Sequence, residues 1–210
     1  MITVGCVQGS EEWIAARLGI PTASCFHLII TPRTLKPSGS ACKYRSKLIA
    51  EWLLNTSLDD DVATDLMKRG SFLEQEAVRF YEMERGATTT EVGFILRDDC
   101  RVGCSPDRLV GADGGLEVKC PAPHTHVGYL IDGLTEDYRC QIQGALWLTG
   151  RRWWDFLSYH PDLPSCLVRI ERDEAFIAAL AAAVDAFVES LEAGRRLMLE
   201  LGAIPRGEAA

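Results

Sequence analysis

The chain has 210 residues, 47% of them hydrophobic and 25% charged, which predicts a water-soluble globular fold of one domain over residues 1–210, with a frayed tail from about 205. No apolar run approaches the ~18 residues that span a bilayer, and Met1-Ile2-Thr3-Val4 shows no basic region leading into an apolar stretch, so a cytoplasmic protein without a membrane partner is expected. A net charge of −8 argues against a nucleic-acid partner only if charge is evenly spread, and it is not. Arg33, Lys36, Lys43, Arg45 and Lys47 run without an intervening acid, while Asp59, Asp60, Asp61 and Asp65 follow.

Ser10 is placed to cap a short helix that opens on Glu11 and Glu12 and stops at Gly19. Further helices are predicted from about 22–24 to 30, over 41–55, and over 63–85 with Gly86 as the stop. Three strands follow, at 88–96, 102–110 and 116–119, and then helices at 125–131 and 136–149, the second ended by Gly150. Strands at 152–159 and 167–170 and an amphipathic helix over 173–201 complete the chain. This succession predicts an α/β fold with a central mixed β-sheet flanked by helices.

Ser105-Pro106-Asp107, followed by Glu117-Val118-Lys119, concentrates the chemistry. Residues 111–115 are rich in glycine and predict a turn, so the segment reads as a hairpin. Alternation along the second strand puts Glu117 and Lys119 on one face and Leu116 and Val118 on the other, the core side. Asp107 and Glu117 can then converge as hard oxygen donors suited to Mg²⁺ or Mn²⁺, with the Val118 carbonyl as a third oxygen. Taken alone, such loose spacing is more often structural than catalytic.

Elsewhere, Glu74 lies among Phe72, Leu73, Phe80 and Tyr81 and needs a partner if it approaches the core. Gln141 and Gln143 are amides able to bond a phosphate or a metal-bound water, with the helix surface as the default. His124 and His126 lack a third ligand of their kind and suit a loop or DNA-lining role better than zinc. Trp153-Trp154 suit core plus subunit interface better than a base-stacking platform. The eight cysteines form no Cys-x-x-Cys pair and read as reduced thiols.

Six blocks occur in order: Trp13-x-x-x-Arg17-Leu18-Gly19-Ile20-Pro21-Thr22-Ala23-Ser24, Arg69-Gly70-x-x-x-Glu74, Cys104-Ser105-Pro106-Asp107, Leu116-Glu117-Val118-Lys119-Cys120-Pro121, Tyr138-x-x-Gln141-Ile142-Gln143 and Ile170-Glu171-Arg172-Asp173-Glu174. With these blocks the chain resembles the YqaJ-type alkaline exonucleases, the lambda-exonuclease family of the PD-(D/E)xK nucleases, over nearly its whole length. The resemblance implies a restriction-endonuclease-like core and a processive, Mg²⁺-dependent 5′→3′ exonuclease on linear duplex DNA. It also implies a homotrimeric ring and a single-strand annealing partner in phage recombination. By position, Asp107 and Glu117 with the Val118 carbonyl correspond to the metal ligands, two ions being expected, and Lys119 to the residue that orients or deprotonates water. Glu74 and Gln141 correspond to accessory active-site contacts, and Arg17, Ser24 and Ser105 to a pocket for the terminal 5′-phosphate. Arg33 corresponds to a DNA contact and Met67 to an apolar wedge, while Asp65 departs from the lysine expected there. The competing readings are an endonuclease of the same superfamily and a non-catalytic DNA-end-binding protein.

Overall fold

The computed structural model describes residues 1–59 and 65–207, with side chains except at 65–72 and 137. Helix α1 (Glu11–Arg17) starts where Ser10 accepts the Trp13 N–H, as its sequence demands. A 3₁₀ segment (Ala23–Leu28), α2 (Ala41–Leu54) and α3 (Asp65–Arg85) follow. The later helices are α4 (Pro123–Asp132), α5 (Arg139–Thr149) and α6 (Glu174–Glu200), and Asp173 caps α6 by accepting the Phe176 N–H. No described helix is long and apolar enough to cross a membrane.

The strands are β1 (Ile2–Val4), β2 (Thr89–Thr90), β3 (Phe94–Leu96), β4 (Gly103–Cys104), β5 (Arg108–Val110), β6 (Gly114–Lys119), β7 (Trp153–Ser158) and β8 (Cys166–Glu171). They form a five-stranded sheet in the order β2-β5-β6-β7-β8 and a three-stranded antiparallel sheet β1-β3-β4. Only the β6–β7 pair of the larger sheet is parallel, so that sheet is mixed, as expected.

Two expected strands are broken. Residues 88–96 divide into β2 and β3, and residues 102–110 into β4 and β5, with one half of each in either sheet. The second break falls at Ser105-Pro106-Asp107, where Pro106 has no N–H to give a ladder. The first falls at 91–93, where Gly93 lies so close to Cys6 that a Cβ would meet its carbonyl oxygen at 2.2 Å. β1, which pairs with β3, was not anticipated from the sequence.

β6 also begins earlier than expected. Gly114 and Gly115 belong to the strand and not to the turn, because the Trp153 and Trp154 rings of β7 lie against them. A Cβ at either glycine would come within 2.3 Å of a ring carbon.

The large sheet is covered on both faces. Leu116, Val118, Val110 and Leu157 pack with Ala77, Val78 and Tyr81 of α3. On the other face, Trp154 and Phe156 pack with α5, α6, α2 and the 3₁₀ segment through residues such as Leu146, Leu180, Leu48 and Phe26. The expected alternation along β6 therefore holds: Leu116 and Val118 face α3, and Glu117 faces α5.

A fully buried carboxylate pins α3 to the sheet. Asp155 of β7 accepts two hydrogen bonds from Arg169 of β8, at 2.8 and 2.9 Å, and one from the Tyr81 hydroxyl at 2.8 Å. Arg85 stands 3.7 Å away, and the Arg169 guanidinium covers the Trp153 ring at 3.6 Å. Burial and then the Asp155 bond push the Tyr81 hydroxyl pKa up, so it stays a donor.

Two smaller expectations need correction. His126 is fully buried on α4, with Nδ1 bonded to the Ser158 hydroxyl and Nε2 to the Pro164 carbonyl. It braces the fold and lines no loop or groove. The tail is packed further than expected, since Pro205 is buried and the Arg206 N–H donates to the Leu53 carbonyl at 3.0 Å.

Candidate active site

The chain crosses from the small sheet to the large one at Ser105-Pro106-Asp107, and a cavity opens beside that crossing. Asp107, Glu117, Lys119, Gln141, Arg17, Ser24 and Ser105 all line it, with Trp13, Gln8 and Trp154 among the remaining wall. Its position follows from the two sheets: Asp107 ends the crossover, Glu117 and Lys119 project from β6, and α5 closes the far side.

The carboxylates are held by unequal means. Asp107 Oδ2 accepts the Val118 backbone N–H at 2.7 Å, which ties the crossover to β6. Glu117, only 3% exposed, receives both the Lys119 ammonium, at 2.5 Å, and the Gln141 amide, at 2.6 Å, on Oε1. Among the described residues, Asp107 Oδ1 and Glu117 Oε2 have no hydrogen-bond donor. Burial, and then the Glu117 charge, push the Asp107 carboxyl well above the ordinary carboxylate range, against the pull of Lys119 and the Val118 N–H. Burial alone would lower the Lys119 pKa, but the Glu117 and Asp107 carboxylates outweigh it and hold Lys119 protonated.

The donor set fits a hard divalent cation. Asp107 and Glu117 offer carboxylate oxygens, without an imidazole in the lining; no group of three or more His, Cys, Asp or Glu side chains that could hold a metal ion converges among the described residues. Such a set leaves coordination positions open to water and a phosphate. Cys104 lines the same cavity, but it is buried and its thiol is pushed up by burial, so it is an inert wall.

The opposite wall is basic and hydroxylic. Arg17 lies 3.8 Å over the Trp13 ring, and the Trp13 indole N–H donates to Ser105 Oγ at 3.0 Å. Ser24 Oγ is 3.2 Å from Thr22 Oγ1, whose backbone N–H is bonded to the buried Tyr44 hydroxyl. Burial lowers the Arg17 pKa, as expected of a cation held in a cavity by stacking. Sequence reasoning gave Trp13 no role, although the first motif block contains it. Gln8 escaped notice entirely: its amide donates to the Val92 and Pro106 carbonyls, at 2.9 and 2.7 Å, and so anchors the crossover.

Two expected residues lie elsewhere. Glu74 does not line the cavity; it sits on the α3 side, 3.6 Å from Arg108. Arg33 occupies the exposed turn between Thr31 and Lys36, outside the cavity wall. Met67 and Asp65 fall on α3, but their side chains lie outside the described residues. Gln143, next to the site in sequence, instead clamps β8 to α6 by bonding the Glu171 carbonyl and the Asp173 N–H.

The family model of the YqaJ-like viral recombinase domain matches residues 12–152. Among solved structures, an alkaline exonuclease (LHK-Exo) from Laribacter hongkongensis aligns at 37% identity and a TM-score of 0.83, over 92% of this chain and 98% of that one. The same exonuclease in complex with dAMP aligns equally well. A phage related exonuclease from Haemophilus somnus, 17% identical with a TM-score of 0.67 over 87% of this chain and 96% of that one, shares the fold. No curated protein matches.

Proposed function

The chain belongs to the YqaJ-like viral recombinase family, and from that premise we propose that it is a metal-dependent exonuclease acting on linear duplex DNA. In this reading it digests one strand processively from a 5′-phosphorylated end, 5′→3′, releases 5′-mononucleotides and leaves a 3′ single-stranded tail for strand annealing. One observation carries the reading: Asp107, Glu117 and Lys119 share a single cavity with Arg17, Ser24 and Ser105. A site for hydrolysis and a site for a chain-end phosphate would thus share one cavity.

Asp107, Glu117 and the Val118 carbonyl would hold Mg²⁺, two ions in the full site, with Mn²⁺ able to substitute. When bound, the metal supplies positive charge to the phosphate oxygens and acidifies water. The chain's own residues do the rest. Arg17 forks two charge-assisted hydrogen bonds to the terminal phosphate, while Ser24 and Ser105 supply hydroxyl donors. Gln141 fixes the Glu117 carboxylate in one orientation. Lys119, held protonated, serves as a donor that positions water and neutralises the charge developing on the next phosphate, a role that needs no lowered pKa. Water attacks that phosphorus, the P–O3′ bond breaks, the attacking water gives up a proton to solvent, solvent protonates the leaving O3′, and the terminal nucleotide departs with a 3′-hydroxyl while the next one keeps the phosphate at its 5′ end.

The 210 residues would act as one exonuclease domain in a homotrimeric ring beside an annealing protein in the cytoplasm. The test is digestion of linear duplex, labelled at one end, with and without a 5′-phosphate, in Mg²⁺ and in chelator. Stepwise release of mononucleotides from phosphorylated 5′ ends, no cutting of covalently closed circles and silence in chelator are expected. Internal cutting of circles would instead favour the endonuclease reading, and binding without digestion the end-binding one.

A further inference from the structure

Arg108 is the charged residue beside the cavity that the chemistry above does not use. It follows Asp107 directly, and its cross-strand partner is Leu116, so it leaves the sheet on the α3 face while Asp107 turns to the cavity. For a full charge it is deeply set, its side chain only 12% exposed. Its guanidinium gathers three acceptors: the Asp107 backbone carbonyl at 2.6 Å, Glu91 at 2.9 Å and Glu74 at 3.6 Å. Glu91 is 79% exposed, and that tie is worth little. The other two contacts join the peptide of a cavity carboxylate to a half-buried acid on α3. Both run from one terminal nitrogen, Nη1, while Nη2 turns to Glu91, so the rigid guanidinium plane holds Nη1 between the two groups, a placement that a flexible ammonium stem does not fix.

We propose that Arg108 is a positioning residue that fixes the Asp107 peptide and offsets the Glu74 charge, so that the cavity's affinity for a divalent cation is set from the opposite face of the sheet. The proposal rests on reading the cavity as a metal-dependent nuclease site. Charge and geometry then act separately. Neutralising Arg108 leaves Glu74 uncompensated and strengthens cation binding; neutralising Glu74 leaves Arg108 uncompensated and weakens it. Losing the guanidinium plane, even with charge kept, frees the donor on the Asp107 carbonyl, loosens that peptide and slows turnover.

The test is calorimetric titration of Mn²⁺ into the metal-free full-length protein without DNA, alongside steady-state digestion. Arg108→Gln is expected to bind Mn²⁺ about 5–10-fold more tightly and Glu74→Gln about 5–10-fold more weakly, with the double variant back within about twofold of wild type. Arg108→Lys, which keeps the charge, should stay within about twofold in affinity while kcat falls and the KM for DNA holds. If Arg108→Gln does not fold, Glu74→Gln and Arg108→Lys still carry the test. A double variant that binds far more weakly than wild type would make Glu74 a direct ligand and overturn the proposal, as would Mn²⁺ affinity indifferent to Arg108→Gln or Glu74→Gln. Mn²⁺ binding that does not depend on Glu117 would overturn the reading of the cavity itself.

Discussion

Asp155 and Glu117 are buried carboxylates on adjacent strands, facing opposite sides of one sheet, and their surroundings differ in kind. Asp155 has donors on both oxygens, from Arg169 and Tyr81, with Arg85 behind. Glu117 receives both the Lys119 and the Gln141 donor on Oε1, which leaves Oε2 without a donor among the described residues. Removing a charge from water is costly, and only a full set of partners offsets it. A carboxylate partnered on every side is finished with its work once the fold is made. One partnered on half its lone pairs, beside a second raised carboxyl, is arranged to bind something else.

That contrast can be broken most sharply at Glu117. Glu117→Gln keeps the shape and the Gln141 neighbour, and digestion is expected to fall by roughly 10³-fold or more, with the melting temperature nearly unchanged; substantial Mg²⁺-dependent activity in the variant would sink the assignment. Asp155→Asn should do the reverse. It takes the buried charge away from the Tyr81 hydroxyl and the half-exposed Arg169 and is expected to cost about 1–3 kcal/mol of stability by denaturant titration, while turnover per folded molecule stays close to wild type. A loss of turnover with stability intact would blur the distinction.

Arg17→Ala probes the basic wall. Losing a charge-assisted fork is expected to lower kcat/KM on 5′-phosphorylated ends by about 10–100-fold and to leave 5′-hydroxyl ends nearly unaffected. Equal losses on both would assign Arg17 to general DNA binding. The smallest effect concerns Asp107 in chelated protein. Its carboxyl is raised by folding, so its contribution to stability is full below the ordinary carboxylate range and fades as pH climbs toward the raised value. Asp107→Asn escapes that loss, and its advantage in melting temperature should grow by ~2–4 °C between pH 4 and pH 9. An advantage equal at both pH values would show that the carboxyl is not raised.

The parts of the site legible in the sequence are those governed by local pattern. The alternation at 116–119 sorted Glu117 from Leu116 and Val118, and the Ser10 cap and the Gly150 stop read correctly because each rests on nearby backbone chemistry. What stayed hidden is set by distant partners. Asp155 carried no role in the sequence reading, since Arg169 and Tyr81 reach it only after the strands are ordered. Glu74 was expected to need a partner if it approached the core, but that the partner is Arg108, on the α3 side of the sheet, depends on strand pairing that the sequence does not show. The broken strands were unreadable because extended runs give no sign of which sheet each half will join.

The tryptophans seated on Gly114 and Gly115 have a consequence for assembly. β6 and β7 form the one parallel pair in the sheet, and parallel strands carry no hairpin to set their alignment. A slip of one position would bring one ring against a residue with a side chain, Trp154 against Leu116 or Trp153 against Asp113, and turn Glu117 and Lys119 toward α3. The two rings therefore work as indexing pins, accepting a single alignment as the strands dock. A nascent chain acquires its nuclease carboxylate on the right side only by passing a steric check made at the other end of the strand.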